Sequence, residues 1–215
     1  MADSIDDLLA DRRRGSVAIA LDAARLLAEL APDRRPGAAA RLVRAHPAMA
    51  PLRLLARAAD PVQFAANLRR HLDDAADRGA ALVKGKRVLT ISWSGVVEQA
   101  LRRGQPSQVD CLRSEPGGEG AEMAARLGGR IREDADLAGA VATSDLGLTG
   151  ADAVGPDSFV NKVGTAALCR ALPTVLLDIP EKRLDAVAFA ECAAAAGEVF
   201  ECVPLDLVSY SPVSG

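Results

Sequence analysis

Four short segments and one basic run carry the side chains that could do chemistry. Ser92-Trp93-Ser94-Gly95 places two hydroxyls around an indole just before an apolar helical stretch. A turn of that kind leaves the first N–H groups of a helix free to take an anion such as phosphate, with the hydroxyls as extra donors and Gly95 allowing a tight backbone. The same residues also make an ordinary N-cap beside a core tryptophan. Arg113-Ser114-Glu115-Pro116-Gly117-Gly118-Glu119-Gly120 is a glycine-rich connection without the spacing of a dinucleotide fingerprint or a triphosphate loop. Glu119 opens the helix behind it, where a carboxylate suits the dipole. Gly150-Ala151-Asp152 sets a lone carboxylate after an aliphatic run, and Asn161-Lys162-Val163-Gly164-Thr165 brings an amide, an ammonium and a helix start. A hairpin-like excursion through Gly155-Pro156-Asp157 would fold Asp152 and Lys162 beside each other. Such a pair is either a structural ion pair or a general base with its electrostatic partner. Finally, Arg12-Arg13-Arg14-Gly15-Ser16 precedes a helix, which is a phosphate-type feature or a solvated basic run.

The elements that position these residues fall into two textures. Residues 11–82 are rich in alanine, leucine and arginine, with Val17, Leu21, Ala24 and Ala28 on one helical face and Ile19, Ala23, Leu26 and Leu30 on the next. Breaks at 32–37, 47–51 and 60–61 divide this stretch into three or four helices, the last over about 62–82. After Gly85 come short aliphatic or β-branched runs, each followed by an amphipathic stretch. Strands are predicted at 86–92, 108–112, 130–132, 146–149, 174–179 and 199–203, and helices at 95–103, 119–127, 135–142, 164–171 and 186–196. Alternation of this period means right-handed crossover units and a mostly parallel sheet covered on both faces. The fold class is therefore α/β, with a helical domain over 1–84 followed by a Rossmann-like three-layer domain over 85–215. In such sheets ligands bind outside the carboxyl ends of the strands, which is where the segments above fall.

Composition narrows the function. The 215 residues carry 26 basic and 29 acidic side chains, a net charge of −3, with 49 % hydrophobic and only 3 % aromatic residues. That apolar share is incompatible with a disordered chain. The lack of a basic excess and of stacking aromatics argues against direct nucleic-acid binding. No apolar run approaches the ~20 residues of a membrane span, and the acidic start lacks the basic region of a secretory signal; a cytoplasmic protein is expected. Cys111, Cys169, Cys192 and Cys202 form no close ligand pair, so they read as reduced, mostly buried thiols; no metal or cofactor is indicated. His46 and His71 read as solvated.

The segments, in this order, resemble the regulatory (alpha, beta and delta) subunits of initiation factor 2B and the related aldose–ketose isomerases of methylthioribose 1-phosphate and ribose 1,5-bisphosphate. Gly150-Ala151-Asp152-Ala153-Val154 with Asn161-Lys162-Val163-Gly164-Thr165 is similar to that family's G-A-D-x-[IV] … N-K-[IV]-G-T signature. Ser114-x-Pro116-x-x-Glu119-Gly120 resembles its S-R-P-x-x-E-G loop, Asp134 falls where it has an Asp before the next helix, and Arg14-Gly15-Ser16 resembles its R-G-[AS] helix start. The resemblance implies a phosphorylated small-molecule ligand contacted by Arg14, Gly15, Ser92, Ser94, Arg113, Glu119, Asn161, Lys162 and Gly164, and a homodimer formed through the Rossmann-like domain.

The departures bear on activity. Where the isomerases have the cysteine of T-H-C-N, this chain has Ser92, a far weaker acid than a thiol of pKa ~8.5. Glu115 replaces the loop arginine, leaving Arg113 as its substitute, and the family's terminal T-E-x-G is reduced to Pro212-Val213-Ser214-Gly215. Asp152 is retained. The resemblance thus implies a regulatory binder of a sugar phosphate or nucleotide phosphate. The alternatives are an isomerase of a phosphorylated pentose using Asp152, with Ser92 as hydrogen-bond donor and Lys162 and Asn161 at the oxyanion, or a protein–protein scaffold with a vestigial pocket.

Overall fold

Five helices precede the first strand in the computed structural model, which describes residues 2–12 and 14–211. α1 (Ile5–Ala10) is closed by a capping box: the Ser4 hydroxyl accepts from the Asp7 N–H at 3.2 Å and the Asp7 carboxylate from the Ser4 N–H at 3.0 Å. α2 (Ser16–Glu29), α3 (Arg35–Ala45), α4 (Ala50–Arg57) and α5 (Pro61–Val83) follow, matching the upper count read from the breaks. α5 starts on Pro61 behind Asp60, whose carboxylate accepts from the Val62 N–H at 2.8 Å. Its buried stripe runs Ala65, Leu68, Leu72, Ala75, Ala76, Gly79 and Val83, the spacing of one helical face.

The second part alternates as expected. β1 (Arg87–Ile91), α6 (Gly95–Gly104), β2 (Gln108–Leu112), α7 (Glu119–Leu127), β3 (Arg130–Arg132), α8 (Leu137–Ala142) and β4 (Leu146–Thr149) come first. Then come β5 (Ala153–Val154), β6 (Ser158–Lys162), α9 (Thr165–Ala171), β7 (Thr174–Leu177), α10 (Ala186–Ala194), β8 (Phe200–Pro204) and β9 (Ser209–Ser211). The main sheet has the order β3-β2-β1-β4-β7-β9, and every pair in it is parallel. The chain runs outward from β1 through β2 to β3, then returns to β4 on the other side of β1, so the direction of winding reverses between β1 and β4.

Two strands depart from the expected series. β8 does not extend the parallel sheet; it pairs antiparallel with β6, and β6 with β5, in a separate sheet. Its half-exposed pattern, with Val203 buried between an exposed Cys202 and Pro204, suits an antiparallel ribbon with one wet face rather than a doubly covered strand. β9, which no pattern announced, takes the edge beside β7.

One apolar core joins the two parts: Leu27, Leu42 and Leu68 belong to the same buried cluster as Val88, Leu148 and Leu177. Helix α5 lies against α6 so closely that a Cβ on Gly79 would fall 2.7 Å from the Ala100 Cβ, and one on Gly104 2.4 Å from a Val83 methyl. Both histidines are tied down rather than solvated: His46 is buried with Nε2 2.7 Å from the Leu8 carbonyl, and His71 Nδ1 meets Glu181 Oε1 at 2.7 Å. The four cysteines are free thiols, three of them buried, and burial pushes Cys111 up to about 12 and Cys169 up to about 11. No helix among the described residues is long and apolar enough to cross a membrane.

Candidate functional site

A cavity of about 250 Å³ opens at the point where the sheet reverses its winding, beyond the carboxyl ends of β1 and β4. β1 delivers Ser92, Trp93 and Ser94 to one wall, and β4 delivers Ala151 and Asp152 to the other. The two turns meet at Gly150, where a Cβ would fall 2.3 Å from the Ser94 hydroxyl and 3.0 Å from its Cβ. Two helices begin at this cavity. α2 starts on Gly15 and α6 on Ser94, and in neither does the N-cap side chain bond the first turn. Their leading N–H groups therefore lack intrahelical partners at a wall of the cavity, where both macrodipoles favour an anion.

The lining also includes the apolar side chains of Leu21, Met49, Leu72 and Phe200. Trp93 does not plug the space. Its indole N–H donates to Glu98 Oε2 at 2.8 Å, and the Arg126 guanidinium lies 4.2 Å from the ring centroid, fixing it as part of the wall. Arg14 also lines the cavity, held by Asp11 at 2.5 Å and Asp22 at 2.8 Å.

The acidic and basic groups pair differently from the sequence expectation. Asp152 does not meet Lys162. Its neighbours are Lys182, which follows β7 and is 3 % exposed, and the Ser16 hydroxyl. Burial raises the Asp152 pKa, opposed by Lys182 and Ser16 and reinforced by the charge of Glu119. Burial lowers the Lys182 pKa, opposed by Asp152 and Asp178. Lys162 turns instead to the loop after β2. Its ammonium donates to the Pro116 carbonyl at 2.5 Å and stands 3.1 Å from Glu119 Oε2. The reason lies in β6: adjacent residues of a strand face opposite sides, so Asn161 borders the cavity and Lys162 does not. The Asn161 amide nitrogen donates to the Thr149 hydroxyl at 2.9 Å and the Thr165 hydroxyl at 3.0 Å, tying β4, β6 and α9 together.

Arg14, Gly15, Ser92, Ser94, Glu119, Asp152 and Asn161 thus gather around one cavity, whereas Arg113, Lys162 and Gly164 stand away from it. Arg113 is engaged at the surface by Glu133, at 2.6 Å and 2.8 Å. Gly164 is the N-cap of α9, at φ +98°. The loop after β2 takes no anion through its backbone at Ser114 and Glu115, because both N–H groups donate to the Asp134 carboxylate, at 2.8 Å and 2.7 Å. The sequence reading passed over Lys182 and, as a separate group, Ser16. Lys182 was accessible to the rule that singles out strand ends, since it sits five residues beyond the end of β7. The motif position at Pro212-Val213-Ser214-Gly215 lies outside the described residues.

No protein-family model and no curated protein matches the sequence. Solved structures do. The translation initiation factor eIF-2B of Pyrococcus horikoshii OT3 superimposes with a TM-score of 0.80 at 21 % identity, over 95 % of this chain and 91 % of that one. The tetrameric eIF2B-beta2-delta2 complex of C. thermophilum gives 0.69 at 18 % identity, over 96 % and 86 %. The 5-methylthioribose 1-phosphate isomerase of P. horikoshii OT3 gives 0.65 at 15 % identity, over 95 % and 80 %. Across these pairs the architecture is shared while most side chains are not, and the protein described here has the fold common to eIF-2B subunits and 5-methylthioribose 1-phosphate isomerase.

Proposed function

We propose that this chain is a regulatory protein of the initiation factor 2B type that binds a phosphorylated small molecule, a sugar phosphate or nucleotide phosphate, in the cavity between β1 and β4. The observation that carries the reading is the convergence of two open helix N-termini, those of α2 and α6, with Arg14 at one cavity. Three cationic side chains, Arg12, Arg14 and Lys182, face three acidic ones, Glu98, Glu119 and Asp152. The helix termini tip this balance toward an anion. Serine at position 92 supports a binder rather than an efficient isomerase, since its hydroxyl does not cycle a proton near neutral pH. A homodimer and a cytoplasmic setting belong to the same proposal.

Asp152 favours a second reading, an aldose–ketose isomerase of a phosphorylated pentose, because burial raises the pKa of a carboxyl that lines the cavity. The purified protein, titrated with inorganic phosphate, ribose 1,5-bisphosphate, methylthioribose 1-phosphate and hexose phosphates, separates the possibilities. A ligand present at 100 times its Kd stabilises by about 2.7 kcal/mol, which thermal unfolding detects. A shift without turnover is the expected result. Turnover abolished by Asp152→Asn but not by Ser92→Ala would move the assignment to the isomerase, and no shift with any phosphate would leave only a scaffold.

A further inference from the structure

Of the 26 basic residues in the sequence, 22 are arginine and four are lysine: Lys84, Lys86, Lys162 and Lys182. Lys84 and Lys86 are exposed in the turn before β1. Every ion pair among the described residues uses arginine, except those of His71 and Lys162. The chain therefore meets its structural needs for positive charge with guanidinium. Lys162, buried, is closed on both sides by Glu119 and the Pro116 carbonyl. Lys182 is as deeply buried yet takes no part in any of these ion pairs, and no hydrogen bond of its ammonium is found among the described residues. It lines the cavity together with Asp152.

An ammonium held that way gains little from its site, and it has a way out that arginine lacks: it can give up a proton. Asp152 is the carboxylate that acts on it most strongly, followed by Asp178. Asp178, fully buried, is occupied by the Arg183 guanidinium at 2.6 Å and the Ile179 N–H at 2.7 Å, so Asp152 is the group able to take the proton.

We propose that Lys182 is an imine-forming amine of the cavity, which captures the aldehyde or ketone carbonyl of a small ligand with Asp152 as its acid–base partner. In the resting site the proton passes from the Lys182 ammonium to the Asp152 carboxylate, leaving amine and carboxylic acid. The amine nitrogen bonds the carbonyl carbon, and a proton moves from nitrogen to oxygen to give the carbinolamine. The Asp152 acid then protonates that hydroxyl, which leaves as water while the nitrogen lone pair closes the C=N bond. The products are a protonated imine, a carboxylate and one water, with no oxidant or reductant consumed. For a phosphorylated carbonyl compound the inference rests on the proposed phosphate site, since the helix termini would hold the phosphate while Lys182 meets the carbonyl.

The test is reductive trapping on the full chain. The protein is incubated near neutral pH with sodium cyanoborohydride and either glycolaldehyde or glycolaldehyde phosphate, then analysed by intact mass and peptide mapping. The expected result is one adduct per chain at Lys182, formed at least tenfold faster than at the exposed Lys84 and Lys86, with Lys162 unmodified. Adducts confined to Lys84 and Lys86 would overturn it. Lys182→Arg should abolish the fast adduct; should that variant not fold, the Lys84→Arg/Lys86→Arg double variant must still give the single adduct. Inorganic phosphate distinguishes this inference from the one beneath it. Fast trapping of Lys182 by both probes, indifferent to phosphate, supports the imine and removes the phosphate site. A phosphate-induced thermal shift with no Lys182 adduct keeps the phosphate site and overturns the imine.

Discussion

Two carboxylate–lysine neighbourhoods lie at the same edge of the sheet, and they are built on opposite plans. Under the loop after β2, Lys162 is clasped by Glu119 and the Pro116 carbonyl, while the Asp134 carboxylate takes the N–H groups of Ser114 and Glu115. The Lys162 ammonium and the Ser114 and Glu115 N–H groups there are answered from within the chain. In the crevice between β1 and β4, Asp152 and Lys182 influence each other without closing an ion pair among the described residues, the Ser94 hydroxyl is buried with no hydrogen-bond partner among them, and two helix N-termini lack side-chain caps. A buried polar group is normally satisfied. The contrast supports the proposed binding place: the loop richest in glycine is held by its own neighbours, and the plainer turn borders the cavity.

The sharpest way to break this comparison is to remove each lysine in turn. Lys162→Met leaves Glu119, which also borders the cavity, without its cation; breaking a buried pair costs about 3–5 kcal/mol. Because the Glu119 side chain is 21 % exposed and water can share its charge, the expected loss is smaller, about 2–3 kcal/mol, or roughly 5–10 °C in melting temperature for a chain of this size. Lys182→Met removes a buried polar group that closes no ion pair among the described residues, so its melting temperature should equal or exceed that of the parent protein. Calorimetry on both variants decides, and equal losses would show that the two neighbourhoods are alike.

Much of this was legible in the amino-acid order. The strands at 108–112, 130–132 and 146–149 and the helix at 119–127 fall where the residue pattern puts them; the signal is purest at 146–149, buried throughout inside the sheet, and weakest at 130–132, an exposed edge strand. The winding that follows from them places a crevice at the end of β1 and β4, so Ser92, Ser94 and Asp152 were found from pattern and topology together. The partner of Asp152 was not. Segment order brings Lys162 back toward Asp152, but the period of two along β6 turns it to the other face, and that consequence depends on knowing that 158–162 is a strand. Lys182 lies in a three-residue 3-10 turn, too short to carry any periodicity. Arg113 looked like an anion ligand until its neighbour Glu133, 20 residues on, occupied it. Such pairings across parallel strands are set by register, which a single sequence does not state.

The crossing of the two turns gives a milder probe. Gly150→Ala places a methyl 2.3 Å from the Ser94 hydroxyl, so the Ser94 side chain must shift. Overpacking of this kind costs about 1–3 kcal/mol, and the low end is expected because Ser94 holds no hydrogen bond to lose. The variant should fold yet lose its thermal response to phosphate; an unchanged response would place the anion elsewhere. In the closed neighbourhood, Asp134→Asn weakens two bonds at an exposed side chain, worth about 1 kcal/mol together. Hydrogen exchange should quicken at the Ser114 and Glu115 amides, and phosphate-induced stabilisation should persist.

The smallest effect is a slope with pH. Burial lowers the Lys182 pKa from its ordinary 10.5, so between the two values the unfolded chain carries a proton that the folded chain does not. Stability then rises with pH through that window, is complete above 10.5, and falls away as pH drops through the folded value. Asp152 has the opposite sense: its raised pKa makes the folded chain the better proton binder just above the ordinary carboxylate range, so its contribution is fullest at low pH and is lost as pH rises through the folded value. Lys182→Met deletes the first slope. Its advantage over the parent should therefore be greatest at neutral pH and shrink toward pH 10, measured by urea unfolding at each pH. Lys162, whose ammonium is held by Glu119 and the Pro116 carbonyl, offers the contrast: Lys162→Met should stay below the parent at neutral pH. A gap between parent and Lys182→Met that is constant with pH would mean that Lys182 stays fully charged in the fold, and the crevice would be as closed as the loop.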